Sequence, residues 1–267
     1  SYVYCQAQST SLFQYCELFN LGDSGALERY GLVISGVDGS QAGQYNWIDN
    51  CTVRDGYFLI YYNNSSNHTG SNRGITTNTV YNGTYGIILG GDVGVGSSNN
   101  IIQGNTAYSN YGGLWAGPSS GNNTFSNNIS RDNSYRGAGI ANGSNNNIFI
   151  NENYYNNAVY GFQVGNNNAG LSGLVLRNCW LGVISPSGTA APNGSGDIGM
   201  YPLTGEVYQT TLENCRLDSP TEVYWAQTSP GAGTYIISQR HDQQDGQIRV
   251  WGDYLVSSGT LNWNTTQ

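Results

Sequence analysis

Gln103 to Ala116 reads QGNTAYSNYGGLWA, and Ser126 to Ala141 reads SNNISRDNSYRGAGIA. Both stretches follow one order: a polar residue, usually Asn, then a short strand, a turn, and a glycine followed by an apolar residue. The order recurs outward as IDNCTVRDGYFLI from Ile48, TTNTVYNGTYGIIL from Thr76, NENYYNNAVYGFQV from Asn151 and LRNCWLGVI from Leu176. Taking the polar residue as a hinge gives Asn50, Asn78, Asn105, Asn128, Glu152, Asn178 and Asn214, spaced by 28, 27, 23, 24, 26 and 36 residues. A period of this length with only short strands per unit is the signature of a solenoid, because such strands bury a face only by stacking on the next unit. Period-two alternation then turns Ile87 and Leu89 inward and Ile88 outward. The aligned positions after the turn are Phe58, Ile87, Leu114, Ile140 and Phe162. Asn at the hinge suits a tight left-handed bend and can hydrogen-bond up the stack as a ladder.

Composition agrees. Glycine supplies 38 and asparagine 34 of 267 residues, and charged residues only 10%. Gly, Asn, Ser, Thr and Tyr are middling or poor helix formers, so little helix is expected. There is no lysine, which removes Schiff-base chemistry and a Walker-type phosphate loop. A net charge of −8 with nine arginines argues against nucleic acid. No run of 18 apolar residues exists, so no membrane span is expected.

The segments NNIIQGNTAYSNYGGLWAG, GNNTFSNNISRDN and NGTYGIILGG resemble the NosD-type repeat of right-handed parallel β-helices. The resemblance covers residues 44–170 clearly and extends more faintly to residue 217. It implies an all-β fold, a single-stranded right-handed parallel β-helix of about eight or nine coils. The copper-assembly role of NosD does not carry over, since the chain has one Met and two separated histidines. The expected organisation is coils over residues 1–235, with 184–205 as a projecting loop, and 236–267 as strands closing or extending the same domain.

Cys16, Cys51, Cys179 and Cys215 fall at one position of the coil, in FQYCEL, IDNCTV, LRNCWL and LENCRL. Coils about 4.8 Å apart put Cys16–Cys51 and Cys179–Cys215 inside the Cα window for disulfides. A ladder of buried thiols is the alternative, and Cys5 is left over in either case. No Cys/His zinc spacing appears, so neither a metal nor another cofactor is expected.

Catalytic candidates are sparse. Arg54-Asp55 and Arg131-Asp132 lie three coils apart, too far for a glycosidase carboxylate pair, and read as surface ion pairs. His241 and Asp242 are adjacent on one segment, and neighbours on a strand point to opposite faces, so turn chemistry is the better reading. Tyr81, Tyr108 and Tyr155 stand at equivalent positions, with Arg131 in the row between them. That row would stack on sugar rings or a partner surface, or merely stabilise the sheet face. Sequons begin at Asn50, Asn63, Asn64, Asn67, Asn82, Asn122, Asn128, Asn142, Asn193 and Asn264. The loop positions are the expected glycan acceptors, with Asn50 and Asn128 engaged in the ladder.

These features favour an extracellular or cell- or virion-surface protein without catalysis, a structural or adhesive β-helix. Its strand-like ends, SYVYCQAQSTSLFQYCEL and GQIRVWGDYLVSSGTLNWNTTQ, predict self-association into homo-oligomers or filaments. The alternative is a carbohydrate-active enzyme, lyase or hydrolase, or a sugar-binding module on the same fold, with carbohydrate as the partner.

Overall fold

Strands of three residues acquire a core only from the coils above and below, and the chain stacks accordingly. The computed structural model is a parallel β-helix without helices among the described residues. It describes residues 2–5, 11–22, 30–35, 46–63, 74–90, 96–141, 143–165, 171–184, 189–201, 207–220, 223–225, 234–240 and 260–265, with 207–209 and everything beyond 220 as backbone only.

Each coil has three strand faces. The first is a ladder of ten parallel strands running from Leu12–Gln14 through Trp47–Asp49 and Thr124–Ser126 to Thr234–Arg240 and Thr260–Thr265. This is slightly more than the eight or nine coils expected. The expected division at residue 235 falls inside the strand Thr234–Arg240, and the last two strands simply continue the ladder. The second face includes Thr106–Tyr108, Ile129–Arg131 and Asn153–Tyr155, and the third Gly112–Ala116, Arg136–Ile140 and Tyr160–Val164. Thr52–Asn63 and Thr79–Gly90 run unbroken through the corner between these two faces.

The core is a set of columns. Ile48, Ile75, Ile102, Phe125, Phe149 and Leu176 stack on the first face, with Phe125 and Phe149 rings 4.3 Å apart and nearly parallel. Val53, Val80, Ala107, Ser130, Tyr154 and Leu181 stack on the second. On the third, Ile60, Ile87, Leu114, Ala138 and Phe162 form one column. Two expected members therefore slip by two residues: Phe58 pairs with Tyr85, and Ile140 pairs with Ala116 and Val164. The turns before the third face differ in length between coils, which an ungapped alignment cannot follow.

Gly113, Gly137 and Gly161, each in second place of its third-face strand, are close-approach residues. A Cβ on Gly113 would sit 1.8 Å from Ser130 Oγ and 2.4 Å from the Gly137 carbonyl. Ser130 Oγ itself donates to that carbonyl at 2.6 Å. Gly113→Ala is expected to cost about 2–3 kcal/mol by overpacking, read as a lower urea midpoint with an unchanged slope. The stretch 184–205, expected as a projecting loop, in fact contains the strand Gly196–Met200, paired to Tyr160–Val164 on the third face.

Candidate functional site

Polar side chains at the corners are mostly consumed in holding the coils, and this determines which remain for a ligand. At the first corner, Asn78 Nδ2 donates to Asn105 Oδ1 at 3.0 Å, Asn105 Nδ2 to Asn128 Oδ1 at 3.0 Å, and Asn128 Nδ2 to Glu152 Oε1 at 2.9 Å. Each acceptor oxygen also takes the backbone N–H of the rung below. The ladder is continued by Cys51, whose N–H donates to Asn78 Oδ1 at 2.9 Å. Asn50, Asn178 and Asn214, expected as ladder members, stand one residue earlier. They hold the left-handed bend, with φ of 54°, 52° and 51°, and the cysteine that follows each of them takes the inward place. Asn tolerates that bend better than other residues carrying a Cβ.

Two more ladders went unread in the sequence. Asn110, Asn133, Asn157 and Asn193 form one at the second corner, ending on Ser219 and Asp197. Asn100, Asn123 and Asn147 form another at the third. Their signal was the five-residue spacing Asn100, Asn105, Asn110 and Asn123, Asn128, Asn133, one asparagine per corner of a triangular coil.

Glu152 is the exception within its ladder. It is fully buried and accepts from Asn128 and from the Tyr154 hydroxyl. Desolvation lifts its carboxyl to about 8, with the hydrogen bonds from Tyr154 and Asn128 opposing the rise.

Among the described residues, an accessible stretch lies at the second corner. A groove of about 690 Å³ runs along five coils, from Gly83 and Thr84 through Ser109–Tyr111, Asp132–Ser134 and Asn156–Ala158 to Pro192 and Gly194. Five rungs correspond to roughly 19 Å along the solenoid axis. One residue before the lining residues Ser109, Asp132 and Asn156, the second face carries the row Arg54, Tyr81, Tyr108, Arg131 and Tyr155, one per rung. Tyr81 and Tyr108 stack at 4.8 Å and 11°, and the Arg131 guanidinium lies 4.8 Å from the centre of the Tyr108 ring. Past the corner come Tyr85, Tyr111, Tyr135, Tyr160 and Tyr201, in ring contact along the series, with Tyr111 in the groove lining. Tyr111 and Tyr135 are parallel at 4.9 Å, and Tyr111 is 44% exposed. Hydroxyl contacts join Tyr135 to Tyr201 at 2.8 Å and Tyr201 to Tyr160 at 3.0 Å.

Arg136 anchors this second aromatic row from beneath. It is buried with its guanidinium 3.7 Å from the centre of the Trp115 ring, and it donates to Tyr85 Oη at 2.5 Å and to Gln163. Cation–π contact takes the place of a carboxylate partner.

The sequence candidates distribute as follows. Arg131 pairs with Asp132, and Asp132 also accepts from Asn156 at 2.5 Å. Arg54 pairs with Glu17 at 2.8 Å and with Asp55, whose carboxyl is held low by Asn82 and by Arg54. His241, Asp242, Asn64, Asn67 and Asn142 lie outside the described residues, as does the side chain of Asn264. Of the remaining sequons, Asn63, Asn128 and Asn193 are buried, correcting Asn63 and Asn193 as glycan acceptors; Asn50, Asn82 and Asn122 are exposed. Cys16 Sγ and Cys51 Sγ are 2.8 Å apart, and the described thiols are unbridged. Among the described residues, no group of three His, Cys, Asp or Glu is placed to hold a metal, and no helix is long and apolar enough to cross a membrane.

The family described as right-handed β-helix region matches residues 1–181. No curated protein matches the chain. Among solved structures, the periplasmic alginate epimerase AlgG is similar over 99% of this chain and 61% of its own, at TM-score 0.70 and 15% identity. A double mutant of that epimerase is similar over 100% of this chain and 62% of its own, at TM-score 0.67 and 15% identity. The chain thus spans about three-fifths of the length of the structures it resembles. At this identity the likeness is one of fold.

Proposed function

Given that this chain belongs to the right-handed β-helix family, we propose that it binds an extended carbohydrate chain along the groove at its second corner. The observation that carries the reading is the groove's course: it follows the solenoid axis for five coils, with Tyr111 in its lining and stacked tyrosines on the strands that lead into and out of the corner. A polymer with repeating rings meets one flat, amphipathic face per rung, and tyrosine combines such a face with a hydroxyl. Ser109, Ser134 and Thr84 add polar groups along the floor. The structural neighbour whose printed activity is alginate epimerisation acts on a polysaccharide, which supports the carbohydrate reading over a purely structural or adhesive one. Asp132 is the groove's one carboxylate among the described residues, and it is already bonded to Arg131 and Asn156. The groove as described therefore supplies binding rather than a carboxylate pair for hydrolysis. An envelope or extracellular location suits such a ligand. The NosD-type reading of the repeat rests on the asparagine-rich corners and the Gly-apolar step.

Affinity electrophoresis and calorimetry against a panel of neutral polysaccharides and alginate test the proposal. At least one polysaccharide is expected to retard the protein. Tyr108→Ala and Tyr111→Ala should each weaken that binding about five- to tenfold, the scale of one aromatic stacking contact. Absence of binding across the panel, or full binding by both variants with intact fold, would overturn it.

A further inference from the structure

The first-corner ladder has cysteines at both ends. Following its inward position through the rungs gives Cys16, Cys51, Asn78, Asn105, Asn128, Glu152, Cys179 and Cys215: two cysteines, four amide or carboxyl side chains, two cysteines. The strand registers confirm the alignment, since Glu17 pairs with Thr52 and Trp180 with Arg216 directly after each cysteine pair. Within the ladder, each rung is joined to the next by a side-chain oxygen that accepts two N–H groups. A thiol accepts poorly, so a Cys–Cys rung cannot reproduce that link by hydrogen bonding. The Cys179 and Cys215 thiols instead point at carbonyls of the rungs below, 3.5 Å from Phe149 O and 3.2 Å from Leu176 O.

We propose that Cys16–Cys51 and Cys179–Cys215 are two inter-coil disulfides that clamp the two ends of the asparagine ladder. The geometry carries it. Adjacent rungs lie about 4.8 Å apart, within the Cα range of a disulfide. The Cys16 and Cys51 sulfurs are already at 2.8 Å, and Cys179 and Cys215 stand at equivalent places on neighbouring rungs, each directly before the paired Trp180 and Arg216. Burial raises the Cys179 thiol and takes Cys16 to about 12, whereas at Cys215 burial is outweighed by hydrogen bonding to Cys179 and to the backbone, which holds that thiol below its ordinary value. For each pair the exchange is two thiols plus one small-molecule disulfide giving the protein disulfide and two small-molecule thiols. The two cysteine sulfurs lose two electrons and two protons, and the oxidant's disulfide bond breaks. Cys5 pairs by register with Ile34 on the third face and stays a free thiol.

The test is refolding of the full chain in a glutathione redox buffer, followed by thiol titration in denaturant and peptide mapping without reduction. One titratable thiol is expected before reduction and five after it, with cross-linked peptides joining Cys16 to Cys51 and Cys179 to Cys215. Five free thiols after refolding in excess oxidised glutathione, or bridges of any other pairing, would overturn the proposal. Thermal unfolding adds a readout that buried thiols would not give. The Cys16→Ser/Cys51→Ser pair should lower Tm by roughly 5–10 °C more under non-reducing than under reducing conditions. Equal losses in the two conditions would assign the cysteines to packing alone. Because mapping is done on the unmutated chain, a variant that fails to fold leaves the test decisive.

Discussion

Asn128→Leu is expected to cost about 3–5 kcal/mol, seen as a large drop in the urea midpoint. Asn128 Oδ1 accepts from both the N–H and the Nδ2 of Asn105, and its own Nδ2 donates to Ile102 O at 2.9 Å and to Glu152. All of these groups are buried, and leucine leaves several of them unpaired at once, at about 1–3 kcal/mol each. The contrast is Asn178→Ala. Its side chain stands outside the ladder, so the loss is limited to strain at φ 52°, about 1 kcal/mol. Equal losses at the two positions would contradict the assignment of ladder and bend.

Glu152→Gln is expected to stabilise the protein, by an amount that depends on pH. The carboxyl titrates near 8 in the folded chain against an ordinary value of 4.5. Between those two values the folded state holds a proton that the unfolded state has lost. Stability of the unsubstituted chain therefore falls as pH rises from about 4.5 to about 8, and levels off above that. At 1.36 kcal/mol for each tenfold change in proton affinity, the full loss is on the order of 5 kcal/mol. Gln keeps the acceptor for Asn128 and offers an amide to the Tyr154 hydroxyl. The variant should match the parent near pH 4 and exceed it by several kcal/mol near pH 9, in denaturant titrations at both pH values. A parent whose stability does not change between pH 5 and 9 would show that Glu152 ionises without penalty.

The fold was legible because its signals are local and repeated. Asn105 through Gly113 already contains the inward ladder residue, the short strand, the corner and the glycine whose missing Cβ admits Ser130. The tyrosine row was legible for the same reason, since Tyr81, Tyr108 and Tyr155 follow the first corner at a fixed distance along an uninterrupted strand. The ladder register was only half legible. Asparagine serves both the left-handed bend and the inward position, as in Asn127-Asn128, so Asn50-Cys51, Asn178-Cys179 and Asn214-Cys215 present the expected residue in the wrong role. Reading the dyads together with Thr77-Asn78 and Gly104-Asn105 would have placed the cysteines inside. The second aromatic row was missed because it follows corners of variable length. Tyr111, Tyr135 and Tyr160 fall six, seven and eight residues after Asn105, Asn128 and Glu152, a drift that hides their alignment from any fixed period. Arg136 gave no sign of burial, since nothing in its neighbouring sequence announces the Trp115 and Tyr85 rings that enclose it.

The most direct measurement of the central claim is a crystal structure of the protein with an oligosaccharide cut from whichever polysaccharide retards it. The rings are predicted to lie along the solenoid axis at the second corner, against Tyr108 and Tyr111 and within hydrogen-bonding reach of Ser109 or Ser134. Sugar bound on another face with this corner empty would contradict the account.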